Sequence, residues 1–129
     1  MRARRALAPF FWLAGAHGFT SGFANVEPSV PLALLAALNN RDEAGALVEA
    51  TAPFEALRAR RAGAANIGVV KEAMLQRGHL ACAHVRPPLS PLPKEEQPVV
   101  RAALEHLQPW ITPPVPGAVE EELAARRKG

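Results

Sequence analysis

The sequence predicts a mainly α-helical chain that carries one strand, and three observations predict it. The strong helix formers Ala, Leu, Glu and Arg recur throughout, while tyrosine is absent and β-branched runs are scarce. The thirteen prolines gather mainly at 87–98 and 109–116, which marks those stretches as connections and leaves others free to be helical. A single segment, residues 18–26, alternates with period two, setting Phe19, Ser21 and Phe23 against Thr20, Gly22 and Ala24.

Taken in order, residues 6–14 carry Leu7, Phe10, Phe11 and Leu13 and predict a short buried helix ended by Gly15 and Gly18. The strand over about 18–26 follows. One strand cannot satisfy its own backbone groups, so it requires partners that these residues do not supply. Ser29 is a good N-cap and Pro31 falls in the first turn of a helix over about 29–39, with Leu32, Leu35 and Leu38 as its stripe and Leu34 beside them. Asp42 caps a helix over about 43–62. Its apolar positions are Leu47, Val48, Thr51, Phe54 and Leu57, Pro53 is expected to kink it, and Gly63 closes it. A helix over about 66–77 presents Val69, Val70, Ala73 and Met74 and stops at Gly78. The proline-punctuated connection 85–93 leads to a helix over about 97–107, opened by Gln97 or Pro93 and striped by Val100, Ala103, Leu104 and Leu107. Residues 108–129 read as a flexible proline-rich tail, extended over 109–116, with the composition for a short frayed helix over 119–128.

Composition narrows the function classes. A chain of 129 residues, 49% hydrophobic and 21% charged, matches one ordinary folded domain rather than a disordered chain. The net charge of +3 does not make a nucleic-acid surface. Basic clusters occur at Arg2-Arg4-Arg5, Arg58-Arg60-Arg61 and Arg126-Arg127-Lys128, and the last two follow helical stretches, where cations complement terminal carbonyls. No interleaved aromatics accompany them. Cys82 is the sole cysteine, so no intrachain disulfide forms and a reduced, cytoplasmic setting is expected. No apolar run approaches the roughly 20 residues of a membrane span. A basic start, an apolar stretch and Ala14-Gly15-Ala16 imitate a secretion signal, but Pro9 interrupts the stretch and the chain runs on into the strand-like segment.

Three blocks in sequence carry a resemblance. GAHGFTSGFANVEPSV is similar to an eighth barrel strand and the start of its helix, with Gly18, Ala24-Asn25-Val26 and Pro28 in the matching places. NIGVVKEAMLQRG is similar to an Asn-Pro-x-x-Val-Lys-x-Ala-Leu helix, with Ile67 where proline is usual. HVRPPLSPL resembles a Val-Arg-x-Pro-Leu-x-Pro-Leu linker. In order and spacing, from about residue 8 to 107, they resemble the C-terminal third of the dihydrodipicolinate synthase and N-acetylneuraminate lyase family. The fold this implies is part of a (β/α)8 TIM barrel, its last strand and helix, followed by the family's helical C-terminal extension over residues 1–107.

The resemblance further implies a lyase that acts on pyruvate or another 2-oxo acid through a lysine Schiff base. The lysine lies on the sixth strand and a proton-relaying tyrosine on the fifth. With no tyrosine here and a full barrel needing about 250 residues, the expectation is a truncated piece, inactive alone, that needs a complementing chain or self-association. The rival expectation is a small helical interaction protein, exported if residues 1–16 act as a signal. The strand ending Phe-Thr-Ser-Gly departs from the family's common Ile-Ser-Val-Thr form, which puts lysine biosynthesis in doubt and favours a sugar-acid or unassigned branch.

Candidate site residues follow. C-terminal strand ends face the active site of such barrels, so Thr20, Ser21 and Gly22 are expected to line a substrate-binding wall or, equally, to pack at the barrel rim. Asn25 is expected to satisfy backbone groups at the following turn. Lys71, on a helix next to Glu72, takes the place that the resemblance gives to a non-catalytic lysine, and Lys94 adjoins Glu95-Glu96, which opposes the depressed pKa an amine nucleophile needs, so no catalytic residue is expected. His79, Cys82 and His84 have too few ligands for a metal site and read as a loop with a small buried thiol. Glu27 reads as a helix-start charge, His17 and His106 as isolated, and no cofactor is expected.

Overall fold

The periodic stretches fold as helices whose ends are set locally. The computed structural model describes residues 7–40 and 44–111. Within them α1 spans Ala8–Leu13, α2 Ser29–Asn40, α3 Ala44–Ala59, α4 Asn66–Gln76 and α5 Gln97–Glu105. Gly15, Gly63 and Gly78, each expected to stop a helix, all adopt positive φ (92°, 88° and 79°), a conformation that costs glycine little and other residues more. After α4, Gly78 N–H bonds to Leu75 O (2.9 Å) and His79 N–H to Met74 O (2.8 Å). After α1 the same pair recurs, from Gly15 to Trp12 O and from Ala16 to Phe11 O. Both are Schellman caps, and they satisfy carbonyls that the helices leave open.

The long helix α3 sits in the middle, packed against α2, α4 and α5, and α4 also packs on α5. A 3₁₀ turn at Gly22–Asn25 is wedged against α2 and α4. It delivers Phe23, fully buried, edge-on to Phe54 of α3 with ring centroids 4.7 Å apart and planes at 81°. That geometry sets the positive ring edge against a negative face. Around this pair close Val26, Val30 and Leu34 from the α2 side, Leu47 and Leu57 of α3, Val69 and Ala73 of α4, and Val100, Leu104 and Leu107 from α5 and its end. Thr51 is buried on α3, and its hydroxyl donates to Val48 O at 2.9 Å, which spares an unpaired polar group in the core. Pro53, exposed, lies inside the continuous helix.

Four expectations need correction. Residues 18–26 do not form a strand: 16–21 have no regular structure, 22–25 form the 3₁₀ turn, and the described residues contain no strand at all. The physical reason is the one that flagged the segment, since a ladder requires a neighbour and none is present beside it. The stripe of α2 is Val30, Leu34 and Leu38, not Leu32, Leu35 and Leu38, and Leu32 is 62% exposed. A helix this rich in leucine offers two faces of similar hydropathy, and tertiary packing selects one. Helix α1 is short but not buried: only Ala8 is covered, while Phe10 and Leu13 are 67% and 87% exposed. The segment 108–129 begins as packed structure, with a 3₁₀ turn at Gln108–Trp110, Trp110 against the core and Ile111 buried.

The connection before α5 packs closely on α4. A Cβ on buried Gly68 would stand 3.4 Å from Leu92 N, so glycine here admits the backbone of the linker. The Pro87–Pro88 peptide is cis and Val85 is buried. The Asp42 cap, the first and last basic clusters and the expected helix at 119–128 lie outside the described residues. No helix among the described residues is long and apolar enough to cross a membrane.

Candidate functional site

Thr20, Ser21 and Gly22 stand together at the end of the extended segment, where Ser21 is still extended (φ −136°, ψ 115°) and Gly22 begins the 3₁₀ turn. Thr20 is exposed, and Ser21 and Gly22 are half-buried. The turn that follows is closed by Asn25, whose Nδ2 donates to Gly22 O at 3.1 Å, the backbone role its residue type suggested.

Gly22 has a backing that sequence reading missed. The Arg58 guanidinium lies against it, and a Cβ placed on Gly22 would fall 2.7 Å from Arg58 NH2 and 3.3 Å from its Cζ. Arg58 is held in place from both sides. Its Nε donates to Asn66 Oδ1 at 2.7 Å, and its NH1 reaches Glu55 Oε1 and Oε2 at 2.9 and 3.1 Å. Its side chain is only 18% exposed, so it is not the solvated helix-end cation that its place in an arginine cluster suggested. The helices α3 and α4 thus support the end of the extended segment through one planar, multiply bonded cation.

A second polar group ties the next stretch of chain. Glu27, 6% exposed, is not a solvated helix-start charge but pairs with Arg77 at the end of α4, with Arg77 NH2 donating to Glu27 Oε2 at 2.7 Å. The Ser29 hydroxyl lies 3.0 Å from Glu27 Oε1 and 2.7 Å from Trp110 O, so this side chain, inside the first turn of α2 rather than before it, ties the turn after α5 to the start of α2. The His79 ring is 2.9 Å from Val26 O. The only sequence signals for this cluster were an acid two residues before the Ser29 cap and a base at the end of α4. Neither carries information about a partner 50 residues away.

Lys71 Nζ donates to His84 O at 2.5 Å, and Lys94 is exposed in a 3₁₀ turn at Lys94–Glu96. Cys82 is exposed rather than a buried thiol, and no group of three His, Cys, Asp or Glu among the described residues converges on a common point. His17 lines an open cleft of about 730 Å³ between α1 and the C-terminal end of α2, with Trp12, Leu13, Ala16, Ala37 and Leu38. Its described lining does not include Thr20, Ser21 or Gly22. His106 is exposed at the end of α5. Chemically, the candidate wall offers two hydroxyls and backbone polar groups to a ligand. These can orient a substrate by hydrogen bonding.

Comparison with known proteins bears on what that wall belongs to. The family model for the dihydrodipicolinate synthetase family matches residues 5–107. The crystal structure of dihydrodipicolinate synthase from Oceanobacillus iheyensis is similar to this chain, with 39% sequence identity and a TM-score of 0.72 over 81% of the chain. The chain spans 35% of the length of that solved protein. No curated protein matches the chain. These likenesses do not favour the small helical interaction protein. The chain belongs to the dihydrodipicolinate synthetase family.

Proposed function

We propose that residues 1–107 are the C-terminal part of a lyase barrel that acts on pyruvate or another 2-oxo acid through a lysine Schiff base, and that Thr20, Ser21 and Gly22 form part of its substrate wall. Family membership supports the reaction class. The observation that carries the partial-barrel reading is the state of residues 7–21. An extended segment without a ladder leads from a helix whose Phe10 and Leu13 face solvent, and both features suit strands and helices of a larger barrel packing over them. The same reading assigns that face to the rest of a barrel, supplied by further residues of the same polypeptide or by a complementing chain, or to self-association. Substrate chemistry then belongs to the assembled barrel. These 129 residues contain no tyrosine to relay a proton, the Lys71 amine donates to His84 O, and Lys94 stands exposed in a 3₁₀ turn, not in the desolvated setting an amine nucleophile needs. A reducing, cytoplasmic location for the exposed Cys82 belongs to the same proposal.

The test is chemical trapping. The purified 129-residue chain is incubated with pyruvate and borohydride and its intact mass measured. The expected mass is that of the unmodified chain. A stable adduct on Lys71 or Lys94, formed by reduction of an imine, would show that a catalytic lysine is present after all. A parallel assay of 2-oxo acid cleavage is expected to read at background.

A further inference from the structure

We draw no further inference here: the strongest candidate, the exposed apolar face of α1 with the open cleft it forms against the end of α2, belongs to the docking face already proposed, and nothing in the structure shows any other occupant that covers it.

Discussion

The stretch from Leu7 to Ser21 and the body from Gly22 to Ile111 cover their large apolar side chains to different extents. In the body, each of α2 to α5 turns one face onto α3 or is α3 itself, and the large side chains Phe23, Phe54, Leu34 and Leu107 are fully covered. In the leading stretch, Ala8 joins the same core and Trp12 and Phe19 pack against it, but Leu7, Phe10 and Leu13 stay open, and the segment after α1 has no ladder. One family match, over residues 5–107, covers the leading stretch and all but the last four residues of the body. The difference teaches that the helical layer closes on itself while the element leading into it does not, which is what the proposed partial-barrel reading requires of side chains that meet other elements.

That contrast can be broken by substitution, and the largest expected effect is in the body. Phe54→Ala removes the ring that Phe23 packs against and leaves a cavity in the centre, with an expected loss of about 3–5 kcal/mol in urea unfolding. A loss below about 1 kcal/mol would mean the body is not packed as described. Next comes Glu27→Ala, which strands the Arg77 guanidinium beside the core. The expected cost is about 3 kcal/mol, with part of it recovered in the Glu27→Ala, Arg77→Ala double variant. Failure of the double variant to recover anything would argue against a coupled pair.

Smaller changes sharpen the boundary. Gly78→Ala forces a side chain into the left-handed region at the cap of α4, and a midpoint shift corresponding to about 1–2 kcal/mol is expected. At the low end, Leu13→Ser on the open face of α1 is expected to alter stability by no more than about 0.5 kcal/mol while reducing self-association in sedimentation velocity. A large destabilisation from that exposed position would place α1 within the body and erase the contrast.

How far the sequence revealed the site can be judged residue by residue. Asn25 was legible because an Asn after a small-residue segment has few partners other than the local backbone, and its bond to Gly22 O spans three residues. Arg58 was not. Its two neighbours in an arginine cluster suggested solvent, and only the approach of α4 and the 3₁₀ turn places Asn66 and Gly22 beside it. Cys82 was misjudged in the other direction, because the residue type favours burial while the loop that carries it runs over the surface. The wall proposed at Thr20, Ser21 and Gly22 came from a resemblance, and what the structure adds is the Arg58 guanidinium packed against Gly22.

The sequence alone determined where the helices run and where they stop. A helix interior is specified by a repeat over three and four residues, and its end by a glycine that enters a conformation other residues avoid, both properties of neighbours along the chain. It also determined family, through three motifs in order. Tertiary structure decided which leucine face of α2 turns inward, that Glu27 meets Arg77, that Trp110 and Ile111 return to the core, and that residues 18–26 do not become a strand. Each of those outcomes depends on a surface contributed from far along the chain, or from outside the described residues, and local sequence holds no record of what arrives there.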